Sequence, residues 1–323
     1  MDVLSEVLKV VQLQGAMFYH GEFSSPWSFL SPRSCEYAPY VGRGAKHVII
    51  YHLVTEGRAS ARLEDGDRIR LEAGDLVVFP HGDRHILENG PATPPVDMSS
   101  ALAKVFSQGI KLAQLGGGGE LTRFICGYMA CEPQLSRVFL ASLPHVFKVS
   151  IRGTASGKWL ENSIRYSVET DVSRAGGEAI VSKLSEALFV ETLREYITQL
   201  PPEQTGWLAG ARDAEVGKAL ALMHRSPAHP WTIATLATEV GTSRSVLAER
   251  FRYYLNDPPM TYLTRWRLQL AQKLLESTSY PVSQIAAEVG YESEAAFNRA
   301  FKREFEMPPA RFRAKSRTER ERR

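Results

Sequence analysis

The chain has 323 residues, of which 44% are hydrophobic and 23% charged, with a formal net charge of +3. This length indicates two domains of about 100–200 residues each, and the composition excludes disordered and collagen-like classes. No apolar run approaches the roughly 18 residues of a membrane span, and the first residues lack the pattern of a secretory signal. Three cysteines without paired spacing favour reduced thiols. We expect a cytoplasmic protein with no membrane partner.

The charge is distributed unevenly. From Ala211 to the end there are 19 Lys and Arg against 13 Asp and Glu, which leaves 20 against 23 for the first 210 residues. A basic C-terminal part favours a polyanionic partner there, although a solvated surface is the simpler alternative.

The predicted elements change character along the chain. Short runs rich in β-branched residues, such as His47–Thr55 and Leu76–Phe79, predict strands up to about Ile151. A helical period follows, with one stripe at Leu184, Leu188 and Ile197. The Pro201–Pro202 pair breaks that period, and helices with short turns follow. These patterns predict a barrel domain at 1–156, a helical coupling segment at 157–200, a linker at 201–212, an all-helical domain at 213–313 and a basic tail at 314–323.

A motif with fixed spacing lies in the strand-rich part. Residues Gly74 to Asn89 fit G-x5-P-x-G-x2-H-x3-N at every fixed position. This segment resembles the second motif of cupin β-barrels, and the resemblance implies that His85 points into the barrel. The glutamate and two histidines of the first cupin motif are missing, so the usual metal cage is incomplete. The candidate ligand-pocket residues are His52, Phe79, His81 and His85.

Metal binding at these residues stays open as an alternative. His52, His81, His85 and Cys126 are ligand types that zinc accepts, but hydrogen-bonded histidines in a pocket are the more common outcome. We therefore expect no cofactor and no catalytic residue.

The C-terminal part contains an internal repeat. Glu239-Val240-Gly241 matches Glu288-Val289-Gly290, and Leu247 and Phe251 match Phe297 and Phe301. Each copy has a short helix, a glycine turn, a serine (Ser243 or Ser293) that can cap the next helix, and apolar residues four apart on that second helix. This is the pattern of a helix-turn-helix. A bundle with solvated faces is the alternative, and two copies in register argue against it.

The second helix of each copy has an outward face. At 100° per residue the predicted outward residues are polar, basic or small, which suits a helix that enters a DNA major groove. The candidate DNA-binding residues are Arg244, Ser245, Glu249, Arg252, Glu294, Ala295, Asn298, Arg299 and Lys302. The helix between the copies, about Met260 to Glu276, is a rigid spacer of roughly 25 Å.

These motifs resemble the DNA-binding domain of the AraC/XylS family of transcription regulators, over about Ala214 to Arg313. The resemblance implies base reading by Ser245, Glu249, Glu294 and Arg299. Glu249 departs from the family pattern, and it could accept a hydrogen bond from cytosine N4 or repel phosphates. The N-terminal half resembles the cupin sensor domains of some members. That implies a small-molecule effector and a homodimer formed by the helices after the barrel.

The expected fold is therefore an α+β two-domain chain, with an N-terminal cupin-like β-barrel plus helices and a C-terminal all-α double helix-turn-helix. The expected function is sequence-specific binding of double-stranded DNA to regulate transcription, controlled by an effector in the barrel, with RNA polymerase as a further partner. A cupin metalloenzyme with a helical accessory domain and a ligand-independent DNA-binding protein are the alternatives.

Overall fold

A computed structural model describes residues 3–10, 14–37, 47–99, 112–131, 140, 143–169 and 175–321. The chain divides into two compact units. The barrel unit comprises Gln12–Ser136 and Leu143–Leu200, and the helical unit comprises Met1–Val11, Arg137–Ser142 and Pro201–Arg323.

The barrel unit is built from two facing sheets. The strands are β1 Gln14–Ser24, β2 Trp27–Ser31, β3 His47–Glu56, β4 Arg58–Leu63, β5 Ile69–Glu72, β6 Asp75–Phe79, β7 His85–Asn89, β8 Val96–Asp97, β9 Leu112–Gly116, β10 Leu121–Cys131 and β11 Phe147–Ser150. One sheet has the order β11-β6-β3-β10-β1-β9 and the other β5-β4-β7-β2-β8. The expected cupin-like fold is confirmed.

Aromatic side chains fill the space between the sheets. Phe23 contacts Trp27, Phe29 and Phe124 with ring centres 5.2, 5.6 and 4.9 Å apart, all near edge-to-face. Each of these four residues is at most 4% exposed. Because edge-to-face packing is the favoured arrangement of aromatic pairs, this cluster holds one sheet against the other.

Among the described residues of the barrel unit, three helices accompany the strands, namely α2 Ser34–Tyr37, α3 Ala155–Glu169 and α4 Gly177–Gln199. Helix α4 contacts β1, β10 and β11. Leu188 on its inner stripe is buried, and the Tyr51 hydroxyl of β3 donates to Ser185 Oγ at 3.1 Å. Of the stripe predicted either as a dimer seam or as packing on the chain's own barrel, Leu188 is buried, and Leu184 and Ile197 are half-buried. The dimer seam stays a prediction.

The helical unit contains nine helices within the described residues. They are α1 Val3–Val10, α5 Trp207–Arg212, α6 Ala214–Arg225, α7 Ile233–Val240, α8 Arg244–Leu255, α9 Pro259–Ser277, α10 Val282–Glu288, α11 Glu294–Phe305 and α12 Pro309–Glu321. Across the part of the chain that the structure describes, no helix is both long and apolar enough to span a bilayer.

Two segments differ from the predicted boundaries. Helix α1, which was assigned to the barrel domain, contacts α6, and its Val3, Leu4 and Val7 are buried. Residues 207–212, which were assigned to the linker, form α5 with Trp207 and Leu208 buried. Burial of these apolar side chains explains both differences, since a free linker or arm would leave them in water.

The glycines of the two helix-turn-helix turns permit a matched test. Gly241 and Gly290 have φ of 85° and 86°. A Cβ at Gly241 would meet nothing within 4 Å, whereas one at Gly290 would lie 2.7 Å from Ala228 Cα. We expect Gly241→Ala to cost about 1 kcal/mol for the left-handed backbone alone, and Gly290→Ala to cost about 1–3 kcal/mol more for overpacking. Urea unfolding of the full chain measures both, and equal losses would contradict the steric part of this argument.

Candidate nucleic-acid interface and barrel site

The first helix-turn-helix is formed by α7 and α8, and local signals set its geometry. The Thr232 hydroxyl accepts from Thr235 N at 3.1 Å, and Thr235 Oγ1 accepts in turn from Thr232 N at 2.9 Å, so a capping box begins α7. Gly241 ends that helix in the left-handed conformation. The Ser243 hydroxyl accepts from Val246 N at 3.2 Å and begins α8. The predicted glycine stop and serine cap are confirmed.

Helix α8 buries one face and exposes the other. Leu247 and Phe251 are fully buried, which fixes the inner face at positions four apart. The four candidate DNA-binding residues of this helix are exposed, namely Arg244, Ser245, Glu249 and Arg252.

Val246 is a further exposed residue that sequence reasoning missed. It is 40% exposed, and at 100° per residue it lies about 60° from Glu249 on the outward face. The position of Val246 on the helical wheel, close to Glu249, could have identified it as an outward residue. An apolar side chain on that face can contact a thymine methyl group.

The second motif, α10 and α11, repeats this arrangement. The Ser293 hydroxyl accepts from Ala296 N at 3.2 Å to begin α11, and Phe297 and Phe301 are fully buried. The outward residues Glu294, Ala295, Arg299 and Lys302 are exposed, and Asn298 is half-buried.

The cationic residues of the two outward faces keep their charges available. Within the described residues, Arg244, Arg252, Arg299 and Lys302 form no ion pair. A cation without an internal partner can bind a phosphate, and an arginine can also bind guanine O6 and N7. The helix α9 between the motifs has 19 residues, or about 28 Å, and contacts α8, α10, α11 and α12.

The barrel interior holds a second cluster, a chain of hydrogen bonds between the two sheets. His52 of β3 lies opposite Cys126 of β10, and its Nδ1 is 2.6 Å from the Cys126 sulfur. Its Nε2 is 2.8 Å from His85 Nε2 on the other sheet. His85 Nδ1 is 2.7 Å from the Asp83 carbonyl oxygen.

The Asp83 carbonyl oxygen at the end of this series of hydrogen bonds fixes which group donates in each of them. A carbonyl oxygen only accepts, so His85 Nδ1 must donate and, in the neutral ring, Nε2 must accept. His52 Nε2 therefore donates to His85, and its Nδ1 accepts from the Cys126 thiol. Burial lowers the pKa of His85 to about 4, burial and then His85 lower the pKa of His52, and burial raises the pKa of the Cys126 thiol. All three groups are thus neutral near pH 7.

The structure brings three of the four predicted pocket residues together. Phe79 stacks on His85 with ring centres 3.7 Å apart, and it also flanks His52 at 6.1 Å. His81 lies elsewhere, because the turn after Pro80 carries it away to donate to the Leu143 carbonyl at 3.0 Å beside His145. His81 is therefore bonded to Leu143 and not to the His52–His85 cluster, and a ligand pocket lined by these residues stays a prediction.

The same geometry separates the residues offered as metal ligands. Cys126 and His85 bind opposite nitrogens of the His52 ring, so the three do not point at one ion, and His81 is outside the cluster. Among the described residues, no group of three or more His, Cys, Asp or Glu side chains could hold a metal ion as placed.

Comparison with known proteins identifies both halves of the chain. The family model described as "Cupin" matches residues 2–198, and the model described as "Helix-turn-helix domain" matches residues 236–315. A putative AraC-like transcription regulator of Streptomyces lividans is 33% identical over 83% of this chain and 88% of the relative. The chain belongs to the AraC-like transcription regulators.

Other transcription regulators match over similar or shorter lengths. The HTH-type transcriptional regulator AlkR of Acinetobacter baylyi is 29% identical over 98% of this chain and 100% of its own length. The crystal structure of the AdpA DNA-binding domain in complex with a target DNA is 30% identical, covering 33% of this chain and 96% of that one, with a TM-score of 0.32. The helix-turn-helix family match and the AraC-like relative show that the present chain binds DNA through its helix-turn-helix domain.

The role of the Cys126 thiol as a hydrogen-bond donor to His52 can be tested with two substitutions. Cys126→Ala leaves the His52 Nδ1 acceptor buried without a donor, which costs about 1–3 kcal/mol. Cys126→Ser keeps a hydroxyl donor at the same place, so we expect a loss of less than about 1 kcal/mol. Urea unfolding of both variants gives the difference. If the two variants lose equal stability, the thiol only fills space and the assigned bond direction is wrong.

Proposed function

We propose that this AraC-like regulator reads an asymmetric DNA site with α8 and α11 in successive major grooves, under the control of a small molecule sensed by the barrel unit. The observation that carries the DNA-reading part is that both second helices bury one face on two apolar residues and leave the other exposed. The proposed contacts are Arg244, Ser245, Glu249 and Arg252 of α8 and Glu294, Ala295, Asn298, Arg299 and Lys302 of α11.

The two faces suit different parts of a duplex. Arg299 and Lys302 give α11 two cations for guanine edges and phosphates. Helix α8 combines Arg244 and Arg252 with Glu249, a carboxylate that can accept from cytosine N4 but also repels phosphates. Glu294 gives α11 a carboxylate as well, so each face has two cations and one carboxylate, and we assign the two helices similar shares of the electrostatic affinity. The faces differ in where the carboxylate lies, because Glu294 is the first residue of α11 and Glu249 lies in the middle of α8.

We infer that the barrel unit acts as a sensor without a cofactor and not as an enzyme. Both nitrogens of His52 are engaged by side chains, and the Cys126 thiol and His85 are neutral, which leaves no free base or nucleophile in this cluster. The named relatives are transcription regulators, and a regulator acts where the DNA lies, which in a bacterium is the cytoplasm. RNA polymerase is the partner through which such a regulator would act.

The DNA-reading proposal is tested by Arg299→Ala on full-length protein. On a duplex recovered by the wild type from a random-sequence pool, we expect a loss of about 1–3 kcal/mol and relaxed discrimination at one base pair. Arg225→Ala, an exposed arginine of α6 outside both motifs, is the control. An equal loss on random DNA would show that Arg299 contacts only the backbone.

We also propose that a second copy of the chain packs on the outer face of α3 and α4. Trp159 and Tyr166, seven residues apart on α3, are 61% and 67% exposed, and Ile180 at the start of α4 is 57% exposed. Trp159 and Tyr166 lie on one face of α3, because seven residues complete nearly two helical turns. Large apolar side chains grouped in this way mark an interface more often than free surface, and a two-fold dimer places such a patch against itself.

The dimer proposal predicts the effect of a surface charge. Trp159→Glu should shift the protein toward monomer in sedimentation velocity, because a carboxylate would face its own copy across the two-fold axis. Tyr280→Glu, at a 42% exposed tyrosine of the helical unit, should leave the sedimentation coefficient unchanged. If Trp159→Glu sediments as the wild type does, this face is not the interface.

A further inference from the structure

The segment that follows α4 forms hydrogen bonds and an ion pair with α8, the recognition helix of the first motif. The recognition helix of the second motif is α11. We call residues 201–213 the connecting segment, since they lie between α4 and α6. Gly206 N donates to the Tyr254 carbonyl of α8 at 2.8 Å, and the Tyr253 hydroxyl donates to the Glu203 carbonyl at 3.5 Å. Asp213, the last residue of the segment, forms an ion pair with Arg250 of α8. The connecting segment thus meets α8 along its C-terminal half.

Asp213 ends one helix and begins the next. Its backbone N–H bonds to the Ala209 and Gly210 carbonyls of α5, both at 3.2 Å. Its Oδ1 accepts from Glu215 N at 3.2 Å and from Val216 N at 2.9 Å, which caps α6. A displacement of α5 must therefore move this carboxylate.

The same carboxylate holds the recognition helix. Arg250 Nη2 donates to Asp213 Oδ2 and Arg250 Nε donates to Oδ1 at 3.3 Å, a two-point contact of fixed direction. The Asp213 side chain is 3% exposed. Burial alone would raise the pKa of Asp213, but hydrogen bonds from Arg250 and Val216 outweigh it and lower the pKa below its ordinary value. The pair is ionised and directional.

Arg250 and Tyr254 lie on the flank of α8, whereas Tyr253, which bonds to Glu203, lies about 40° from Glu249 at the C-terminal end of the outward face. At 100° per residue, Arg250 and Tyr254 lie about 100° and 140° around the helix from Glu249. Hydrogen bonds and an ion pair on the flank of a helix restrain its rotation about its own axis. That rotation sets where Ser245 and Glu249 point.

Within the described residues, α11 has no equivalent hydrogen bond or ion pair with the connecting segment. The position equivalent to Arg250 is Ala300, which is 8% exposed. Phe301 instead packs on Phe305 and Phe312 with ring centres 4.5 and 5.7 Å apart. These contacts are apolar and lie within the C-terminal part of the unit, away from the connecting segment in sequence.

We propose that Asp213 is a positioning residue for α8, and that through it the connecting segment sets how the first motif reads DNA while the second motif reads independently. This inference rests on the proposed function, because it assigns the regulated share of recognition to one of the two motifs.

The test uses full-length protein and duplexes that the wild type recovers from a random-sequence pool. Asp213→Asn keeps an oxygen to cap α6 and removes the buried charge that Arg250 contacts at two points, while the Glu215 carboxylate stays 3.3 Å from Arg250 Nε. We expect discrimination at the base pairs read by α8 to fall roughly tenfold, within the range of couplings between contacting residues, with no change at those read by α11. Arg250→Gln combined with Asp213→Asn should cost less than the sum of the two single losses, because the two side chains act through one contact.

Two further variants separate positioning from stability. Thr232→Ala removes the cap of α7 in the same motif and should lower the midpoint of urea unfolding. It should not cause a loss of base-pair discrimination confined to the half of the DNA site that α8 reads. Arg250→Gln alone, at a side chain 40% exposed, applies the same test if Asp213→Asn does not fold. If Asp213→Asn lowers discrimination equally at the base pairs read by α8 and by α11, or at neither, the inference is overturned. A wild type that recovers no preferred duplex would instead overturn the proposed DNA reading.

Discussion

Two buried side chains, four residues apart, hold each recognition helix, and the reading of DNA depends on that anchoring. Leu247 and Phe251 do this in α8, and Phe297 and Phe301 do it in α11; all four are fully buried. A helix anchored along one narrow stripe must present its opposite side to solvent. The exposed polar faces of the two motifs are therefore a consequence of core packing, and the glycine turns and serine caps set where each face begins.

The helical unit builds two similar motifs with different supports. The second motif rests on aromatic packing around Phe301 and has, within the described residues, no counterpart of the Asp213–Arg250 ion pair. The first adds the Asp213–Arg250 ion pair and backbone bonds to the connecting segment. Because directional bonds resist rotation more than apolar contacts do, the two copies need not respond alike when the connecting segment moves.

The sequence predicted what depends on local spacing. Helix periodicity, Gly241, Gly290 and the two capping serines identify both motifs, and the spacing from Gly74 to Asn89 identifies the barrel. It did not predict what depends on contacts between distant residues. The packing of α1 on α6, the departure of His81 from His85 and the pairing of Asp213 with Arg250 follow from tertiary packing, which no local period encodes.

The central claim, that both recognition helices read one duplex, is tested most directly by hydroxyl-radical footprinting of the full-length protein on a duplex that it recovers from a random pool. The account predicts two protected stretches on one face of the duplex, about one helical turn or 10 base pairs apart, for each bound chain. A single protected stretch, or two stretches on opposite faces, would contradict it.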